Sequence, residues 1–241
     1  MRKNIIEATT RCRPFIFMTV LGLLIVLMAT PCINAGTFRD DFEDGDLEGW
    51  RQLAPPGPIL WKIVDGELEA SKPGERSTGL VTGEATWADY TIEYDVKLLE
   101  YHGKGDIHIL ARVQELQQLL IFNIGDFCAP AGICVQGIPD AVSVQKKFEQ
   151  LELNEWHHLK LEVKGREFVL WVNGDKVLLY EDKTTKTGAV GFGLTNYTAR
   201  FDNVEISGPD VPDLTPPTWE VQPVQPRNKL ATTWSQIKAN R

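Results

Sequence analysis

The chain has 241 residues with a formal net charge of −8 at pH 7, and 43% of the residues are hydrophobic. This length and composition suit one sizeable domain with its own core. The acidic balance argues against nucleic acids and anionic membrane surfaces as partners, because both attract basic patches.

The first 35 residues have the three parts of a secretory signal peptide. A basic leader precedes a nearly unbroken apolar run from Phe15 to Ala29, and small residues follow up to Ala35. As a helix this run spans ~23 Å, which is short of the roughly 30 Å hydrocarbon core. We therefore expect residues 1–35 to be removed and the protein to be secreted, periplasmic or on the cell surface. The alternative is an uncleaved membrane anchor.

Removal of the leader makes the protein more acidic and leaves two cysteines. Residues 36–241 carry 21 basic and 32 acidic side chains, a net charge of −11. Cys128 and Cys134 are separated by five residues. In an oxidising compartment this spacing predicts a disulfide, and a zinc site is disfavoured because two thiols fall short of four ligands.

From Thr37 to Gly208 the sequence predicts one antiparallel strand after another. The segment Tyr90–Leu98 places apolar residues at every second position, and so does the segment from Asp106 to Val113. Further predicted strands are 118–124, 157–163, 167–172, 176–180, 190–194 and 200–206. Asp65-Gly66 and Asn173-Gly174 provide the turn chemistry of tight hairpins. We expect an all-β, two-sheet antiparallel sandwich of jelly-roll type over residues 37–208.

Residues 209–241 differ in character from the rest of the chain. Six prolines lie between Pro209 and Pro226, which favours an extended linker. Beyond it, Leu230, Trp234 and Ile237 would share one face of a short helix. This segment is either a frayed tail or a small peptide that docks a protein partner.

Two passages resemble the concanavalin A-like (laminin-G-like) superfamily. One is the Trp156-His157-His158 segment followed by Trp171-Val172-Asn173-Gly174, and the other pairs the opening Asp41-Phe42-Glu43 with the closing Phe201-Asp202-Asn203-Val204. The similarity extends to bacterial domains described as 3-keto-disaccharide hydrolases. It implies the sandwich fold strongly and the function weakly, because this fold hosts lectins, adhesion modules and glycosidases alike.

The resemblance also implies a place for calcium. In related sandwiches, acidic groups near the first strand and an Asp in the last strand hold a calcium ion that fastens the two ends. The matching side chains are Glu43, Asp44 and Asp202. Calcium prefers six to eight oxygen ligands, which would include backbone carbonyls. The alternative is that Asp202 and Asn203 make only local backbone hydrogen bonds.

The sequence favours binding over catalysis. Retaining glycosidases need two carboxylates about 5 Å apart. Glu93 and Asp95 share one face of their strand, but Lys97 or Leu98 stands where the laminarinase-like pattern has its second Glu. We therefore predict a non-catalytic glycan-binding or adhesion module, with a glycoside hydrolase acting on a modified disaccharide as the alternative.

The predicted ligand site is a polar groove on one sheet face. Alternation directs polar side chains of neighbouring strands away from the core, and an aromatic ring completes a typical sugar site. The predicted ligand-binding residues are Glu93, Asp95, His108, Arg112, Asn123 and Trp171. The expected partner is a carbohydrate or an extracellular glycoconjugate.

Overall fold

A computed structural model describes residues 35–53, 61–71, 74, 77–115, 118–127, 132–138 and 142–213, and for residues 115 and 142–145 only the backbone. The described regular structure consists entirely of strands. They are β1 Gly36–Asp40, β2 Arg51–Leu53, β3 Trp61–Val64, β4 Glu67–Ser71, β5 Thr78–Thr82, β6 Tyr90–Glu115, β7 Gln118–Gly125, β8 Gly132–Ile138, β9 Val142–Lys147, β10 Trp156–Lys164, β11 Glu167–Val172, β12 Asp175–Glu181 and β13 Ala189–Gly208.

Two long strands, β6 and β13, pair with each other and run through both layers of the sandwich. The first layer contains the N-terminal half of β6 and the C-terminal half of β13. It continues on one side through β10, β11 and β12, and on the other through β1, β4 and β3. The second layer contains the other halves of β6 and β13, flanked by β7, β8 and β9 on one side and by β5 and β2 on the other. All described pairings between named strands are antiparallel, as the sequence predicts.

The main core lies between the two layers. Tyr94 of the first layer packs on Phe192 of the second, with ring centroids 5.1 Å apart, and Phe122 stacks on Phe168 at 5.5 Å. The Tyr94 hydroxyl also donates a hydrogen bond across the core to the backbone carbonyl of His108. We call the side of each layer that faces away from this core its outer face.

The two predicted hairpins are confirmed. Asp65 and Gly66 join β3 to β4, and Asn173 and Gly174 join β11 to β12. All four residues have positive φ angles between 51° and 86°. Two consecutive positive φ angles are what a type I′ turn requires, and Asx-Gly adopts them at low cost.

Several sequence-based expectations concern residues outside those described. The signal peptide falls on residues 1–34 apart from its last position, the proline-rich tail continues through residues 214–241, and Cys128 is also outside. Export, the disulfide of Cys128 with Cys134 and the role of the tail therefore stay predictions. Within the part of the chain that the structure describes, no helix is long and apolar enough to cross a membrane.

Candidate functional site

A group of polar side chains lies on the outer face of the second layer. Its members are Asp106 and His108 on β6, Asn123 on β7 and Thr195 on β13, and we call them the polar cluster. The strand register brings them together, because His108 pairs with Asn123 and Asp106 pairs with Thr195. None is more than 6% exposed. Four buried polar side chains on one sheet face are unusual, since such groups are normally exposed.

His108 is at the centre of the polar cluster. Its Nδ1 lies 3.3 Å from Asp106 Oδ1, and its Nε2 lies 3.4 Å from the backbone carbonyl of Thr78. The imidazole lies against Gly193 on the neighbouring strand, where an added Cβ would come within 2.6 Å of Nε2. The same Cβ would come within 2.2 Å of the Thr78 carbonyl oxygen, so Gly193 leaves space for both the ring and this carbonyl.

Hydrogen bonding in the polar cluster is incomplete. Asp106 Oδ2 is buried and has no hydrogen-bond partner among the described residues. The Asn123 amide donates only long hydrogen bonds of 3.4 Å, to the Ile121 carbonyl and to Cys134 Sγ. Buried polar atoms without good partners cost free energy, and proteins retain them mainly where a ligand, water or reaction uses them.

An apolar patch adjoins the polar cluster on the same outer face. Leu110 follows His108 by two residues on β6, and Ile121 precedes Asn123 by two on β7. The patch consists of Val81, Leu110, Val113, Leu119, Ile121 and Ala189, with Leu53 and Ile138 at its edges. The polar and apolar rows are about 7 Å apart, which is the rise of two strand residues.

Glu93 and Asp95 lie elsewhere, on the outer face of the first layer. They are about one-third exposed, as the alternation predicts. His158 on β10 donates from Nδ1 to Asp95 Oδ1 at 2.9 Å, and its Nε2 lies 3.7 Å from Glu93 Oε2. The hydrogen bond to Asp95 raises the pKa of His158. Asn203 on β13 donates to the other oxygen of Asp95, so the carboxylate links three strands.

Trp171 shares this outer face with Glu93, since Lys160 pairs with both residues. The Lys160 ammonium lies 5.9 Å from the centroid of the Trp171 ring. Trp171 therefore stands beside Glu93 and Asp95 in the first layer, apart from the polar cluster.

Arg112 differs most from the sequence-based expectation, which placed it on an exposed sheet face. It is 2% exposed, and its guanidinium donates to the backbone carbonyls of Thr185, Gly165 and Ala88. A β-bulge explains the difference. Arg112 has a φ of 50°, and the register with the neighbouring strands shifts beside it. The bulge interrupts the alternation, so Arg112 turns towards the Phe168 ring while Val113 joins the apolar patch.

The six predicted ligand-binding residues therefore occupy three places. His108 and Asn123 are together in the polar cluster, Glu93, Asp95 and Trp171 are on the first layer, and Arg112 is buried at the bulge. These six residues do not form the single groove that the sequence predicts. Asp106 and His158 were missed, although Asp106 is two residues before His108 and so shares its face by the same alternation.

The predicted calcium ligands make local contacts. The backbone N–H of Asp46 donates to Asp44 Oδ1, and that of Asn203 donates to Asp202 Oδ1. No three His, Cys, Asp or Glu side chains in the described ranges are grouped so that they could hold a metal. Glu43, Asp44 and Asp202 do not form such a set, and calcium at this place stays a prediction.

Solved structures of similar shape have the predicted fold. A carbohydrate binding module, CBM66 from Bacillus subtilis, is 20% identical with a TM-score of 0.53, over 65% of this chain and 94% of that one. Domain 4 of AbnA, an extracellular arabinanase from Geobacillus stearothermophilus in complex with arabinotriose, is 14% identical with a TM-score of 0.50, over 72% and 92%. A galectin-like protein of unknown function from Bacillus subtilis is 12% identical with a TM-score of 0.53, over 70% and 94%.

These likenesses confirm the concanavalin A-like fold. No curated protein matches the chain significantly. The sequence from residue 37 to residue 207, most of the chain, matches the family described as the 3-keto-alpha-glucoside-1,2-lyase-like domain. The chain therefore belongs to the family of 3-keto-alpha-glucoside-1,2-lyase-like domains.

Proposed function

We propose that this domain binds a carbohydrate at the polar cluster on the outer face of the second layer. The observation that carries the proposal is the buried Asp106 Oδ2 without a hydrogen-bond partner among the described residues. A sugar hydroxyl is a neutral donor of the right size for this oxygen, and the Asn123 amide can bond a second hydroxyl. Family membership and the carbohydrate-binding structural neighbours point to the same ligand class.

Burial of the cluster has a consequence for binding. Because its four side chains are almost inaccessible to water, a ligand reaches them only when part of the chain moves aside. Association should therefore be slower than for a preformed open site.

Calorimetric titration of the mature protein with glucosyl disaccharides and their 3-keto forms tests the proposal. Asp106→Asn should weaken binding by about 10-fold to 100-fold, because hydrogen bonds to a charged group contribute roughly 1.5–3 kcal/mol. Asp95→Asn, on the outer face of the first layer, is the matched control and should leave affinity unchanged. If Asp95→Asn weakens binding and Asp106→Asn does not, the sugar binds on the first layer instead.

A second candidate function is the lyase reaction that gives the family its description. The pairing of His108 with Asp106 favours it, because a carboxylate behind Nδ1 fixes the orientation of an imidazole that exchanges protons. In a 3-keto glucoside the ketone acidifies the hydrogen on carbon 2. His108, as the base, takes that proton. A double bond then forms between carbons 1 and 2, and the substituent on carbon 1 leaves with its bonding electrons and is protonated.

Turnover distinguishes the two candidates. If the protein is a lyase, wild type releases the carbon 1 substituent from a 3-keto disaccharide. His108→Gln then binds the disaccharide but releases this substituent at least about 100-fold more slowly, which is the size of a general-base effect. Binding by wild type without any release would leave the non-catalytic module as the function.

A further inference from the structure

We propose that the C-terminal segment 228–238 docks on the apolar patch of the same chain, through Leu230, Trp234 and Ile237. This proposal does not depend on carbohydrate binding. It starts from the composition of the patch, whose described members all belong to strands of the second layer. A contiguous group of apolar side chains on an outer face usually marks a contact surface, and this patch has six members with two more at its edges.

The described chain ends close to the patch. The backbone N–H of Ala88 lies 3.4 Å from Asp210 Oδ2, and the Ala88 carbonyl accepts a hydrogen bond from Arg112, the residue before Val113 of the patch. The backbone carbonyl of Trp87 accepts a hydrogen bond from the backbone N–H of Gly188, which precedes Ala189 of the patch. The connection between β5 and β6 therefore contacts Asp210, near the start of the tail, and also the residues that precede Val113 and Ala189 of the apolar patch.

The tail is long enough to cross the patch. Leu230 is 17 residues beyond Asp213. A flexible chain of this length has an end-to-end distance of roughly 23 Å, and a proline-rich one reaches farther. The patch extends over six neighbouring strands, from Leu53 on β2 to Ile138 on β8, which is about 24 Å at the usual strand spacing.

Sequence and charge of the tail also fit the proposal. Leu230, Trp234 and Ile237 have the spacing of one apolar helix face, which matches a flat apolar surface. Residues 214–241 contain four basic side chains and one acidic one, a net charge of +3, whereas residues 36–213 have a net charge of −14. Opposite net charges favour the encounter of the two parts.

Hydrogen–deuterium exchange of the full mature chain tests the docking. In wild type, amides of segment 228–238 should exchange at least about 10-fold more slowly than in the free peptide, as expected for a packed segment. The triple substitution Leu230→Ser, Trp234→Ser and Ile237→Ser should abolish this protection. Its matched control, Asn228→Ser, Thr232→Ser and Gln236→Ser, changes polar positions of the same segment and should keep it.

Substitutions on the sandwich test the other side of the contact. Leu53→Gln and Ile138→Gln, at the edges of the patch, should release the tail without unfolding the core. Leu179→Gln is the control, because Leu179 is 53% exposed on β12 of the first layer. A tail that exchanges like the free peptide in wild type would overturn the proposal. Protection that appears only as protein concentration rises would also overturn it, since the tail would then occupy a second copy.

Discussion

The buried guanidinium of Arg112 makes a sharp prediction about stability. Replacement by Met keeps most of the side-chain volume and its contact with Phe168, but removes the donors that bond the carbonyls of Thr185, Gly165 and Ala88. These carbonyls belong to three separate connections, which lead into β13, β11 and β6. Arg112 therefore ties together the connections at one end of the sandwich.

The hydrogen bond to the Ala88 carbonyl is long at 3.4 Å, and each of the other two contributes roughly 1.5 kcal/mol because the donor is charged, so Arg112→Met should cost about 3 kcal/mol of unfolding free energy. Urea unfolding monitored by circular dichroism measures this loss, with the m-value unchanged. Arg39→Met is the control, because Arg39 forms a half-exposed ion pair with Glu205 and should cost less than about 1 kcal/mol. A loss no larger than that of the control would refute a structural role for Arg112.

Further predictions concern pH and the fit of one glycine. Burial raises the pKa of Asp40 to about 6. The folded state therefore holds an extra proton between about pH 4 and 6, and the free energy of unfolding falls as pH rises through that window. Asp40→Asn should flatten this slope in urea titrations. The raised pKa of His158 gives stability that is complete below pH about 6.5 and lost as pH rises through that pKa. Asp95→Asn should remove this second loss, and an unchanged profile would contradict the pairing. Gly193→Ala forces a Cβ to within 2.2 Å of the Thr78 carbonyl oxygen and 2.6 Å of the His108 ring, and should cost about 1–3 kcal/mol in the same assay, with a smaller cost counting against the tight packing around Gly193.

Local sequence signals predicted much of the fold. Asx-Gly pairs identified both tight hairpins because the backbone conformation of such turns depends on a few residues. Alternation identified the strands around Tyr94 and Leu161 because each buries one face in the main core. The sequence showed Tyr90–Leu98 and the segment from Asp106 to Val113 as two strands, whereas β6 runs through both without interruption.

The candidate site was harder to predict, for two physical reasons. A β-bulge inserts a residue without a strong sequence signal. The alternation that assigns His108 to the outer face therefore fails four residues later, at Arg112. Alternation also assigns a side chain to a face without identifying the layer. Glu93 and His108 are both on β6 and both lie on the outer face of a layer. The layers differ, however, because β6 crosses from the first layer to the second between these two residues.

A nuclear magnetic resonance titration of ¹⁵N-labelled residues 36–241 with a 3-keto disaccharide tests whether the sugar binds at the polar cluster. If the sugar binds there, the backbone amides of His108, Asn123 and Gly193 shift together and saturate with one dissociation constant. Shifts confined to Glu93, Asp95 and His158 would place the ligand on the first layer and contradict binding at the polar cluster.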